Sequence, residues 1–119
     1  MFDSTLTIDL LTRALDVSAL RQAVYSANIA NASVPGYQRL EVNFDQQLEG
    51  FAAAFDSASK ADQTHLSMSA PSVIATGTAV KLDQEVAAMA RNSLQYQTLV
   101  GAYERMSALT RLAIREGRE

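Results

Sequence analysis

Side chains that could catalyse a reaction or bind a metal are sparse in this sequence. His65 is the only histidine, there is no cysteine, and the five glycines are not clustered. A zinc site needs several His, Cys or carboxylate ligands, and a general base needs a positioned partner. His65 stands in a polar stretch that supplies neither, and no nucleophile elbow, P-loop or dinucleotide motif is present. We therefore expect no enzyme activity, no cofactor and no metal site.

Net charge and hydropathy give no indication of a nucleic-acid-binding or a membrane-spanning protein. The net charge of −3 and the isoelectric point near 5.1 give no basic patch for nucleic acid. No stretch approaches the roughly 20 apolar residues of a membrane span. The N-terminus carries Asp3 where a secretory signal has basic residues. We expect a soluble chain that, if it leaves the cytoplasm, does not use an ordinary cleaved signal.

The longest periodic segment is residues 82–115. It has no proline and one glycine, Gly101, and its apolar or small residues recur every three or four positions, which predicts a helix of roughly 50 Å. The first stripe comprises Leu82, Val86, Met89, Ser93, Tyr96, Val100 and Tyr103, and a second comprises Leu99, Ala102, Met106, Leu109 and Ala113. Two adjacent stripes indicate more than one neighbouring helix. A core helix in a small bundle is the simpler alternative.

Residues 6–32 show the same helical period with mostly small apolar residues. Aspartates lie near the start of this segment and arginines near the end of the other, so antiparallel pairing would bring them together. The acids are Asp3, Asp9 and Asp16, and the bases are Arg105, Arg111, Arg115 and Arg118. The predicted fold is mainly α: two long terminal helices pairing as an antiparallel coiled-coil-like hairpin, with a short extended or β arm and a long loop between them.

The connection begins at Pro35-Gly36, which is the preferred pair for the centre of a type II turn. Alternation over residues 40–44 predicts a strand or extended arm. Residues 46–55 fit a short helix or a continuation of the arm, and residues 56–78 fit a loop or a segment disordered in the free monomer. The chain thus divides into 1–34, an N-terminal helix; 35–81, the arm and middle segment; and 82–119, a C-terminal helix.

Several residues allow both a structural and an intermolecular role. Asn28 and Asn31 fit the end of a helix, or a contact between chains, and the two are compatible. Tyr96 and Tyr103 fit internal packing or an interface. Gly101 costs about 1 kcal/mol in a helix interior, which close approach of another backbone would explain.

The segment Asn28-Ile29-Ala30-Asn31-Ala32-Ser33-Val34-Pro35-Gly36-Tyr37 resembles the signature of the bacterial flagellar axial proteins, which are the rod, hook and hook-junction subunits. Residues 39–44, 64–66 and 92–97 are most similar to the FlgB-like rod members. Ser33-Val34 replaces the Asp-Thr common there, and Lys81 stands where an acidic cap is frequent. The signature residues are Asn28, Ile29, Asn31, Pro35, Gly36 and Tyr37.

The resemblance implies a structural subunit of the proximal rod that assembles helically into the drive shaft, transmits torque and encloses the export channel. Its implied partners are copies of itself, FlgC-like rod proteins, a FliE-like adaptor and the flagellar export gate. It implies the periplasmic side of the basal body, reached by flagellar type III export. Subunit-interface candidates are Leu10, Val17, Leu20, Val24, Val86, Met89, Tyr96, Leu99, Val100, Tyr103, Met106 and Leu109.

Two alternatives remain open at this point. One is another axial protein, FlgC-like or from the distal rod. The other is a helical adaptor or export chaperone that binds one client through the surface around Met89 and Met106.

Overall fold

The computed structural model describes residues 4–44 and 71–117. In chain order it contains helix α1 (Ser4–Ala30), strand β1 (Leu40–Asn43), strand β2 (Ser72–Ala75) and helix α2 (Leu82–Glu116). The predictions for residues 46–55, for His65 and for most of 56–78 fall outside the described residues.

The two helices run antiparallel along each other. Ser18 contacts Asn92, Ser26 contacts Met89, and the Asn28 side chain reaches Glu85, so residue numbers rise along α1 as they fall along α2. The predicted helical hairpin is confirmed.

Both helices begin and end near the predicted residues. Asp83 and Glu85 lie in the first turn of α2, where negative charge favours the helix dipole. Lys81 occupies the N-cap without a side-chain hydrogen bond, as expected for lysine. α1 ends at Ala30, two residues before the predicted end, because Asn31 begins a series of tight turns that lead to Pro35.

The two short strands pair antiparallel, with Leu40 opposite Ala75 and Asn43 opposite Ser72. Arg39 extends the ladder, since its N–H donates to the Thr78 carbonyl at 2.9 Å. The strand predicted at residues 40–44 is therefore confirmed. The loop prediction was wrong at residues 72–75, because a four-residue strand is too short to show a period and its partner lies far away in sequence.

The apolar core is small and lies between α1 and β1. Val17, Val24 and Val42 are buried, and the partly buried residues packed against them are Leu20, Leu40 and Phe44. The two residues of α2 that are fully buried, Glu85 and Asn92, are both polar.

α2 extends beyond α1. Asn28 contacts Glu85 in the antiparallel pair. Ser4, the first residue of α1, is 24 residues before Asn28, so it lies level with Leu109, which is 24 residues after Glu85. Residues 110–116 of α2, hereafter the overhang, thus have no α1 beside them, and Leu112 and Ile114 there are 52% and 55% exposed. The radius of gyration of 18.1 Å exceeds the roughly 13.5 Å of a compact chain this long. The molecule is elongated, with extents of 64 × 28 × 14 Å.

The predicted charge contact between the helices is not seen in the described part of the chain. Asp9 pairs with Arg13 on its own helix at 3.5 Å. Arg105 and Arg111 donate their Nε–H groups to carbonyls one turn earlier in α2. Contacts within one helix are favoured because residues four positions apart on a helix are always within reach of each other. In addition, Arg111 and Arg115 lie on the overhang, past the end of α1.

Candidate functional site

The end of α1, the turn after it, β1 and the first turn of α2 meet around one side chain, Asn28. We call Asn28, Tyr37, Arg39 and Glu85 the signature cluster, since it is built on residues 28–37. A second group, Ser18, Gln22 and Asn92, lies further along the hairpin and is called the mid-hairpin cluster.

Asn28 is 0% exposed. Its Nδ2 donates to the Leu40 carbonyl at 2.9 Å and to Glu85 Oε2 at 3.2 Å. Its Oδ1 accepts from the Leu40 backbone N–H at 2.9 Å and from the Tyr37 hydroxyl at 3.1 Å. An amide offers two donor hydrogens and two acceptor lone pairs, so Asn28 is fully satisfied. Because Leu40 presents both a donor and an acceptor, only one orientation of the amide fits.

Glu85 is 2% exposed and forms an ion pair with Arg39, whose Nε–H donates to Oε1. A buried carboxylate is tolerated when such a partner is present. The hydrogen bond to Glu85 is the main cause that raises the pKa of Arg39, and burial opposes it in part. A raised arginine pKa means that the stabilisation is complete at physiological pH and is lost only as the pH rises through that pKa.

The turn after α1 aims β1 at Asn28. The Tyr37 N–H donates to the Val34 carbonyl at 3.2 Å, and Gly36 has a φ of 78°, which together confirm the type II turn. Asn31 donates its Nδ2 to the Ala27 carbonyl at 2.8 Å and so satisfies the end of the helix. Asn31 therefore has the helix-ending role, whereas Asn28 joins three elements.

The mid-hairpin cluster fixes the helices to each other. Asn92 Nδ2 donates to the Ser18 carbonyl and to Gln22 Oε1, both at 2.8 Å, and its Oδ1 accepts from the Ser18 hydroxyl at 3.1 Å. Buried polar pairs of this kind specify the register of paired helices. Every buried side-chain nitrogen and oxygen among the described residues has a partner.

The predicted signature residues are partly brought together. Asn28 and Tyr37 share the signature cluster, whereas Asn31 acts at the helix end and Pro35 and Gly36 form the turn. Ile29 is half-buried on α1.

The predicted interface residues divide by exposure. Val17 and Val24 are buried in the chain's own core, and Leu20 packs against it. Leu10, Val86, Tyr96 and Leu109 are exposed and present apolar surface, and their role between subunits stays a prediction. The half-buried members are Met89, Leu99, Val100, Tyr103 and Met106.

The polar residues of α2 that contact α1 were not identified from the sequence. Glu85 and Asn92 are seven residues apart, so they lie on one helix face, and that face meets α1. The apolar stripe prediction places Leu82 and Val86 on the seam, yet both are about half exposed. The available signal was the seven-residue spacing of Glu85, Asn92, Leu99 and Met106, which an apolar pattern alone does not reveal.

The signature and mid-hairpin clusters together hold the two helices and β1 in place. Their donors and acceptors form hydrogen bonds with one another. Within residues 4–44 and 71–117 there is no group of three metal-ligating side chains, and no helix there has the length and hydropathy to span a bilayer.

Comparison with known proteins identifies the family of the chain. The family model described as "Flagella basal body rod protein" matches residues 8–38, which include most of α1 and the turn. Flagellar basal body rod protein FlgB of Aeromonas hydrophila is 37% identical over 71% of this chain and 74% of the relative. FlgB of Bacillus subtilis is 32% identical over 85% and 84%, and FlgB of Escherichia coli is 32% identical over 75% and 78%. The alignments reach well past the segment that the family model matches. The chain belongs to the FlgB family of flagellar basal body rod proteins.

Proposed function

We propose that this chain is a structural, non-enzymatic subunit of the proximal rod that assembles helically with copies of itself and other rod proteins. The observation that carries the proposal is the overhang. Leu112 and Ile114 are more than half exposed on a part of α2 that the described residues of the chain do not cover. Apolar surface at the end of a long helix favours burial against another subunit.

The hairpin is suited to a load-bearing wall. The signature and mid-hairpin clusters hydrogen-bond α1 to α2 at two levels, so the helices have one alignment. Head-to-tail contacts that do not close produce an extended helical array. In this proposal the hairpins form the inner layer of the drive shaft, enclose the export channel and transmit torque, while β1 and β2 face outward.

Family membership supports the proposed neighbours and location. FlgC-like rod proteins, a FliE-like adaptor and the export gate are the proposed partners. The proposed location is the periplasmic side of the basal body, with export through the flagellar type III apparatus.

Sedimentation of the purified chain alone and with rod proteins tests the proposal. We expect extended stacks, and a rise in helix content by circular dichroism as they form. A discrete complex of few chains, with helix content already complete in the dilute monomer, would contradict the proposal and favour an adaptor or chaperone.

A substitution on the overhang tests the role of that segment. Ile114→Asp should prevent stacking and leave the unfolding of the monomer unchanged, because Ile114 is exposed. Gln97→Asp, at another exposed position of α2, is the matched control and should stack normally. Normal stacking by Ile114→Asp would show that the overhang is not the contact.

A further inference from the structure

A groove next to the mid-hairpin cluster, with which it shares Asn92, carries a second inference. It has a volume of about 220 Å³ and lies between α1, β1 and α2. The lining residues that matter here are Arg21, Val24, Glu41, Val42, Ala88 and Arg91. This volume is below the roughly 300–1,000 Å³ of small-molecule sites, so the groove fits protein side chains better than a metabolite.

The groove is apolar at Val24 and Val42 and carries cations at Arg21 and Arg91. Among the described residues, neither arginine forms an ion pair, although Glu41 also lines the groove. Arg21 lies over the Phe44 ring, 5.7 Å from its centroid, which orients the guanidinium. Two arginines against one glutamate leave an excess of positive charge. The groove is therefore suited to a carboxylate.

The exposed side of α1 offers a carboxylate on a surface of small side chains. Thr12, Asp16, Ala19 and Ala23 are all exposed and recur at spacings of three and four residues, so they share one helix face. Asp9 is paired with Arg13, whereas Asp16 forms no ion pair with any residue in 4–44 or 71–117. The small neighbours allow another molecule to approach Asp16 closely.

We propose that the groove of one copy receives the Asp16 face of the next copy, with the Asp16 carboxylate accepting hydrogen bonds from Arg21 and Arg91. This inference rests on the proposed helical assembly and names its contact. At 100° per residue, Asp16 lies about 140° around α1 from Arg21. Because groove and carboxylate lie on nearly opposite sides of the same helix, the contact is head-to-tail, which is the type of contact that an open helical array requires.

Disulfide trapping tests the contact, since the chain has no native cysteine. Ala19→Cys, beside Asp16, is mixed with Ala88→Cys, in the groove, under conditions where the full-length chain stacks. We expect this mixed pair to cross-link about tenfold faster than Ala19→Cys mixed with Gln97→Cys, a gain that a charge contact of ordinary strength supplies. Gln97 is exposed and does not line the groove.

Charge substitutions in the cysteine variants test whether the contact between Asp16 and the arginines causes the cross-linking. Asp16→Asn should lower the yield of the Ala19–Ala88 cross-link to that of the control, and so should Arg91→Gln. Asp16→Arg combined with Arg91→Glu should recover part of it.

The outcomes separate the two proposals. Stacks that form without cross-linking above the control would overturn the Asp16 contact and leave the rod assembly standing. Cross-linking that is insensitive to Asp16→Asn would also overturn it. Absence of stacks under every condition would overturn both.

Discussion

Asn28 shows how one buried amide can join three separate parts of a chain. It ends up fully buried without a hydrogen-bonding cost because Leu40, Tyr37 and Glu85 match its two donors and two acceptors. Bonding both the N–H and the carbonyl of Leu40 lets the side chain act toward β1 as a neighbouring strand would. A residue of another shape at this position leaves several of these groups unpaired.

Asn28→Ala should lower the free energy of unfolding by about 3 kcal/mol, because backbone and side-chain groups that are buried lose their partner. Urea denaturation of the full chain measures this. Asn31→Ala is the control and should cost about 1 kcal/mol or less, since Asn31 makes one bond to a helix end that water can also satisfy. Equal losses in the two variants would show that the signature cluster is not the stabilising feature.

Glu85 and Arg39 should be strongly coupled. A double-mutant cycle with Glu85→Ala and Arg39→Ala should give a coupling free energy of about 2 kcal/mol, because removing Arg39 alone leaves the buried Glu85 carboxylate uncompensated. The same cycle on Asp9 and Arg13, a more exposed pair one turn apart, should give about 0.5 kcal/mol or less. A small coupling for the first pair would contradict the assigned role of Glu85.

At the scale of elements, the turn between α1 and β1 decides where the strand runs. Pro35 fixes one backbone angle and Gly36 adopts a positive φ, which turns the chain back toward Asn28. β1 then pairs with β2, and Arg39 extends the pair at one end, because its N–H donates to the Thr78 carbonyl and its carbonyl accepts from the Thr76 N–H.

Gly36→Ala should destabilise the chain by about 1 kcal/mol, because alanine is disfavoured at positive φ. Apart from the two chain neighbours, no described residue has an atom within 4 Å of the added Cβ, so the expected effect is conformational. Thermal unfolding measures it. A variant as stable as the parent chain would show that the turn relaxes to another conformation.

The helices, the turn and β1 were predictable because their signals are local. The helical period, the Pro-Gly pair and the apolar-polar alternation each lie within the few residues whose structure they determine. β2 was not predictable, since Ser72–Ala75 becomes a strand only by pairing with a segment about 30 residues away. The seam of α2 was predicted about one residue out of phase for a related reason: its buried positions are Glu85 and Asn92, whose burial depends on partners in α1.

At the scale of the whole molecule, Gly101 is unfavourable for the monomer but compatible with the proposed assembly. Inside α2 a glycine costs helix stability, and the nearest atom to an added Cβ is the flexible Arg105 Nη2 at 3.4 Å. The described part of the chain gives no packing reason for glycine there. Close approach of a neighbouring subunit is the explanation that fits the proposed assembly.

Gly101→Ala should therefore stabilise the isolated chain by about 0.5–1 kcal/mol, from helix propensity, and at the same time weaken stacking. Denaturation and sedimentation of the same variant measure the two effects. Ala108→Gly, at an exposed position of the same helix, is a control that should destabilise the monomer and leave stacking unchanged. Unimpaired stacking by Gly101→Ala would show that no backbone approaches this glycine.

The buried amides between the helices also determine how the hairpin responds to a pulling force. Helices packed only through aliphatic side chains can slip by a fraction of a turn and keep most of their contact area. The amides of Asn28 and Asn92 have no comparable intermediate positions, because a small displacement breaks several hydrogen bonds together. Under shear along its length, the hairpin should stay rigid up to a threshold force and then separate in a single step.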